Sequence, residues 1–180
     1  MIRLESERLI LRNYEKRDQQ DFFEYMRLEY TAKHEDFDPL TYEESVQYLN
    51  SRIGNDCYIV VELKENGKVI GDLSCCLEEF DAFCISYDFN VKFEKLGYAT
   101  EACREFIAYI FQILNGRRIY AECNEENMNS IRLLKRLGFR QEGHFIEDVS
   151  FKKDSNENPV YVNSFIFALL KREWAANRAR

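Results

Sequence analysis

Only two prolines and seven glycines punctuate the 180 residues. That scarcity excludes collagen-like, low-complexity and linker-rich architectures, and it makes the position of each glycine informative. Histidine is scarcer, at two residues, and none of the six cysteines stands in a Cys-x-x-Cys pair. Without closely spaced His and Cys, no zinc or other metal site is expected. Cys57, Cys75, Cys76, Cys84, Cys103 and Cys123 fall largely in apolar runs and read as reduced thiols rather than a disulfide framework. No apolar run approaches the roughly 20 residues that span a bilayer. The segment Met1 to Glu7 carries acids where a signal peptide needs an apolar stretch, so the chain is expected off the membrane, in the cytoplasm. Positive charge is short as well: 25 Lys and Arg against 32 Asp and Glu give a net charge of −7. That balance is a poor footprint for nucleic acid and a better match for a cationic ligand such as an amine.

What is present is apolar bulk. Apolar residues make up 46%, with 14 Phe and 11 Tyr, enough for the core of one domain covering 1–180. Leu9 to Arg12 reads as a first strand, followed by a helix from about Lys16 carrying Phe22, Phe23, Tyr25 and Met26. Thr41 and Glu44 form a capping box that opens a second helix with Val46, Tyr48, Leu49 and Ile53. The period then changes to that of strands. Cys57 to Leu63 and Lys68 to Cys76 flank Asn66-Gly67, a strong hairpin signal, and Phe83 to Val91 follows as a third strand. Ala99, Ala102, Cys103, Phe106, Ile107 and Ile110 recur at three- and four-residue steps, which predicts a helix stopped by Asn115-Gly116. A strand over Arg118 to Cys123, a helix over Met128 to Leu137 ended by Gly138, and a strand over Val160 to Leu170 complete the order. One further strand is expected near 143–151. The expected class is mixed α/β with a mostly antiparallel sheet.

Chemistry shows at two junctions. Between Val91 and Ala102 a strand passes into a helix through Lys95-Leu96-Gly97-Tyr98. The first helical N–H groups are unpaired there, and the helix dipole favours an anion. Gly97 allows close backbone approach by a phosphate, or simply starts a helix. The second junction, Asn124 to Phe139, has three Asn and one Ser before an apolar helix, more than one cap requires.

Together these segments resemble the GCN5-related N-acetyltransferase superfamily. Gly97-Tyr98-Ala99-Thr100-Glu101-Ala102 is similar to its pyrophosphate loop, and Asn127-x-x-Ser130 with Lys135-x-Leu137-Gly138-Phe139 to its later motif. Glu7 to Arg12 and Leu169 to Trp174 resemble the branch of ribosomal-protein N-terminal acetyltransferases. The resemblance implies a sheet of six to seven strands flanked by about four helices. It also implies acetyl-CoA wedged where the strands ending near Val91 and Cys123 splay apart. The backbone around Phe89, Val91 and Phe93 would bind the pantetheine arm. Lys95 and the amides of Leu96, Gly97, Tyr98, Ala99 and Thr100 would hold the pyrophosphate. Asn127 would contact the cofactor, and Ser130 would lie near its sulfur. Three positions depart from the family. Glu94 stands where Gln or Arg is usual, Lys95 where Gly is frequent, and Leu134 where some N-terminal acetyltransferases carry a Tyr acid.

The implied chemistry is direct attack of an amine on the thioester, with an N–H near Val91 polarising the carbonyl. The base is open. Asp88 and Tyr87 lie on the strand leading to the acetyl group. Glu35, Asp36, Asp38, Glu147 and Asp148 could line the acceptor mouth, and His144, at the expected cleft edge, ranks above His34. The acceptor is expected to be a protein N-terminus or a small, cationic amine, and the protein a monomer or homodimer. A non-catalytic coenzyme A-binding sensor is the alternative.

Overall fold

The computed structural model describes residues 2–178. The chain forms β1 (Arg3–Glu5), β2 (Leu9–Arg12), α1 (Gln19–Met26), α2 (Glu29–Ala32), α3 (Tyr42–Arg52), β3 (Tyr58–Leu63), β4 (Val69–Glu78) and β5 (Ala82–Phe89). After these come α4 (Tyr98–Gln112), β6 (Arg118–Asn124), α5 (Met128–Arg136), β7 (Arg140–Lys153), β8 (Pro159–Leu170) and α6 (Lys171–Arg178). One sheet runs in the order β1-β2-β3-β4-β5-β6-β8-β7, and every neighbouring pair is antiparallel except β5 and β6. The class is therefore the expected mixed, mostly antiparallel one.

The sheet has eight strands rather than six or seven, and the described residues form six α-helices rather than about four. The added elements have weak local signals. β1 is three residues long and holds its place by pairing Leu4 with Leu11. α2 is a single turn, and α6 follows β8 without a break.

Alternation along the strands divides the apolar side chains between two faces. Ile59, Val61, Leu73, Phe83 and Ile85 pack with Phe106, Ile110 and Leu134 from α4 and α5. Val60 and Val69 pack on the opposite face with Phe22, Tyr25 and Leu49 from α1 and α3. Beside this second face, Arg12 is buried between two acids. Its Nη1 and Nη2 donate to Asp18 at 2.9 and 2.7 Å, and its Nε and Nη2 donate to Glu62 at 2.8 and 2.5 Å.

The expected caps form. Thr41 Oγ1 accepts from the Glu44 N–H at 3.3 Å, and Glu44 accepts from the Thr41 N–H at 2.8 Å. Gly71 permits a close strand approach: a Cβ there would lie 2.4 Å from the Asp88 carbonyl oxygen.

Candidate active site

The site begins as a gap in the sheet. β5 and β6 run parallel and pair only over Ala82↔Arg118, Phe83↔Ile119 and Cys84↔Tyr120. Beyond that point β5 stays paired with β4 as far as Phe89, and β6 stays paired with β8 as far as Asn124. The two strands thus separate while each keeps its outer neighbour. The Asn90 N–H reaches the Ile70 carbonyl on β4 at 2.9 Å. Strand alternation therefore turns the N–H and C=O groups of Tyr87 and Phe89 the other way, toward β6, where no ladder receives them. A cavity of about 160 Å³ occupies the gap, with Tyr87, Ser86, Cys123, Asn127 and Ser130 in its wall. Val149, Phe151 and Val162 from the β7–β8 hairpin close one side, and His34 and Glu35 close another.

The connection from β5 to α4 is less direct than the sequence suggests. β5 ends at Phe89, and a 3-10 turn over Val91–Phe93 follows, so Val91 and Phe93 lie on a turn rather than on the strand. Two residues of the loop are left-handed, Lys95 at φ 61° and Gly97 at φ 86°. That conformation explains why glycine suits both positions, and at Lys95 a side chain adopts it instead. Gly97 caps α4 without a side-chain hydrogen bond. The first amides of α4 are therefore available at the positive end of a 15-residue helix, together with the loop amides of Leu96 and Gly97.

Three contacts from Arg8 hold this loop. Arg8 Nη1 donates to the Leu96 carbonyl at 3.1 Å, and Arg8 Nε donates to Glu101 at 2.7 Å while its guanidinium lies 4.3 Å from the Tyr98 ring centroid. Glu94, an unfavourable neighbour for a phosphate, is drawn away. Its Oε1 accepts from Tyr30 Oη and, at 3.2 Å, from Asn129 Nδ2.

The face of β5 that packs against α4 and α5 carries Tyr87, whose Oη lies 2.8 Å from Ser130 Oγ. Asn127 accepts from the Ser130 N–H at 3.1 Å and caps α5. Burial raises the Tyr87 phenol well above its usual range, so it stays protonated. Cys123 is pushed up to about 11, chiefly by burial. Leu134 is fully buried in the core, so no acid stands at that position. The only hydroxyl pair built here is that of Tyr87 and Ser130, among the described residues that line the cavity.

Asp88 is outside the cavity wall and points to the opposite face, directly across from Asp72 in the β4–β5 register. Asp72 is satisfied: Tyr25 Oη donates to it at 2.6 Å, and Arg52 Nη1 lies 3.2 Å away. Asp88 has no such partner among the described residues. Burial first, then the charges of Asp72 and Glu35, raise it well above the usual carboxylate range. Glu35 is raised from 4.5 to about 7 by burial, then by Asp36 and Asp72. The folded chain thus holds the Glu35 proton more tightly than the unfolded chain does. Unfolding free energy should therefore fall as pH rises from about 4.5 to about 7 and flatten above that. Glu35→Gln is expected to make that slope shallower, read as denaturant midpoints at pH 5 and pH 8.

Other expected residues lie apart. Asp36 and Asp38 are exposed and outside the cavity wall. Glu147 and Asp148 sit on β7 and are not in the cavity wall. The two histidines exchange rank. His34 lines the cavity, its pKa lowered by burial and Lys33, whereas His144 Nε2 lies 2.8 Å from Glu125 Oε2, with its ring 4.6 Å from that of Phe165. The hairpin residues Val149, Phe151 and Val162 were not foreseen as part of the wall. A long alternating strand near a cleft was the available signal.

The family model described as the acetyltransferase (GNAT) domain matches residues 8–140, which includes the gap, the glycine-capped helix and α5. The chain belongs to the GNAT acetyltransferase family. This acetyltransferase is 28% identical over 172 residues to an uncharacterized N-acetyltransferase of Bacillus subtilis, YnaD, covering 94% of this chain and 97% of that one. A GNAT-family acetyltransferase from Bacillus anthracis superposes with a TM-score of 0.87 at 26% identity, covering 96% of this chain and 100% of that chain. A spermidine N-acetyltransferase from Vibrio cholerae, solved with CoA and spermine, gives 0.78 at 20% identity and shares the fold. It covers 94% of this chain and 99% of its own. No helix among the described residues of this acetyltransferase is long and apolar enough to cross a membrane.

Proposed function

We propose that residues 1–180 work as one catalytic unit that moves the acetyl group of acetyl-CoA to a primary amine by direct attack through the gap between β5 and β6. The observation that carries this reading is the gap itself. It has unladdered backbone along β5, with Tyr87, Asn127 and Ser130 in its wall and Glu35 at another side. The inward N–H and C=O groups of Tyr87 and Phe89 suit the amides of a pantetheine arm, which would take the place of a missing strand. Backbone N–H groups from Leu96 to Thr100 suit a pyrophosphate, and Asn127 stands at the same wall.

Acetyl-CoA supplies the activated acyl group, and the chain's own residues supply proton transfer and alignment. An ammonium has no lone pair, so the acceptor must lose a proton. In this reading Asp88, raised above the usual carboxylate range chiefly by burial and without a hydrogen-bond partner among the described residues, is the base, with Glu35 beside it drawing a cationic acceptor. On the other side of the gap Tyr87, kept protonated by burial, donates through Ser130 toward the sulfur. The leaving thiolate, with a reference pKa of about 8.5, benefits from that proton. In this reading an N–H near Val91 polarises the carbonyl. The carboxylates on the side of Asp88 and Glu35 favour a cationic amine as acceptor.

Thiol release from acetyl-CoA across a panel of polyamines, aminoglycosides and peptides with free N-termini tests the reading. Turnover with at least one small cationic amine is expected. Coenzyme A binding without turnover on any acceptor would replace the enzyme with an acetyl-CoA sensor.

A further inference from the structure

The connection from β5 to α4 is fastened on both sides of Glu94 by ion pairs. Before it, Lys92 Nζ meets Glu24 at 3.0 Å, and after it, Glu101 meets Arg8 at 2.6 Å. Glu94 itself is held differently. Among the described residues no Lys or Arg pairs with it, and its partners are neutral. Tyr30 Oη from α2 and Asn129 Nδ2 from α5 both donate to its Oε1, the second at 3.2 Å. Asn129 Nδ2 also donates to Tyr30 Oη at 2.8 Å. Burial, then the contact with Glu94, raises the Tyr30 phenol above its usual range, so it stays protonated and able to donate.

Neutral donors fix where a carboxylate points and leave its charge in place. That charge matters here, because Leu96, two residues on, begins the run of amides that leads into the positive end of α4. A carboxylate free to turn toward those amides would occupy them itself or repel an incoming phosphate. Tyr30 has little structural reason to stand where it does. Its side chain is 46% exposed and belongs to neither apolar cluster of the core, so its hydroxyl is what the folded chain uses.

We propose that Tyr30 is a positioning residue for the donor: by holding the Glu94 carboxylate away from the loop amides, it keeps that charge from weakening coenzyme A binding. The proposal rests on the reading of the β5–β6 gap as the donor site. It also accounts for an acid standing where the family usually has Gln or Arg, since the acid comes with its own restraint from α2 and α5.

Calorimetric titration of the full chain with coenzyme A tests it, using Tyr30→Phe, Glu94→Gln and the two combined, each checked for folding by thermal melting. Tyr30→Phe keeps the ring and removes the hydroxyl. It should weaken coenzyme A binding by about fivefold at low salt, and the loss should shrink as salt is added. Adding Glu94→Gln to Tyr30→Phe should restore the affinity, because the released side chain then carries no charge. Glu94→Gln alone should bind at least as tightly as the unaltered protein, since Gln can still accept from Tyr30 and Asn129. A combined variant as weak as Tyr30→Phe would make Tyr30 a structural contact only and overturn the proposal. Unchanged affinity in Tyr30→Phe, or weakened binding in Glu94→Gln alone, overturns it too, and each of these results leaves the donor site standing. Failure of the unaltered protein to bind coenzyme A overturns the donor reading as well.

Discussion

Asp88→Asn should lower kcat/KM for the best amine acceptor by about 100-fold or more, with coenzyme A affinity unchanged. The two effects separate because Asp88 faces α1 and α3, whereas the phosphate loop and Ser130 lie toward α4 and α5. Asn keeps the shape and part of the hydrogen bonding but cannot accept a proton. The pH profile is the sharper readout. In the unaltered enzyme the rate should rise with pH as the raised Asp88 and Glu35 carboxyls ionise. In the variant that rise should move to higher pH, where the acceptor deprotonates by itself, so activity should recover in alkaline buffer. A variant with the original pH profile would remove Asp88 from the proton path. The neighbouring Asp72 cannot substitute, because Tyr25 and Arg52 occupy its carboxylate.

The largest effect on stability should come from a residue that touches no substrate. Arg12→Met is expected to cost about 3–5 kcal/mol, because it strands two buried carboxylates. Asp18 and Glu62 are 2% and 7% exposed, and both depend on the one guanidinium that is itself 4% exposed. Arg17 reaches Glu62 at 3.2 Å, but from the surface. Lysine would not restore the site, since a single ammonium cannot reproduce the paired donation to Asp18 together with the bond to Glu62. Urea unfolding of Arg12→Met and Arg12→Lys measures the loss. An unaltered midpoint in the methionine variant would show that the triad contributes no net stability.

Much of the fold was legible because its signals are local. Asn66-Gly67 turns the β3–β4 hairpin with Gly67 at φ 74°, Thr41 caps α3, and the three- and four-residue spacing of α4 survives as its buried face. What escaped the sequence is what depends on distance along the chain. Arg8 meets Leu96 and Glu101 across roughly ninety residues, and Tyr30 meets Glu94 and Asn129 across comparable separations. No local pattern announces such pairs. Asn127 and Ser130 stand in the wall of the gap, whereas Val91 and Phe93 fall on a turn. His34 stands in the cavity wall and His144 does not, because the β7–β8 hairpin, with its register shifts, sets His144 beside Glu125.

The short parallel seam between β5 and β6 has a mechanical consequence. Only three residue pairs join a half-sheet of five strands to one of three, so few backbone hydrogen bonds resist separation of the two halves. An arm lying along the unladdered edge of β5 would act as a splint across that seam. Amide exchange of Ala121 to Asn124 and of the β8 residues opposite them would then slow on ligand binding more than that of β1 to β3. The donor would be both a reactant and a temporary strand of the sheet that holds it.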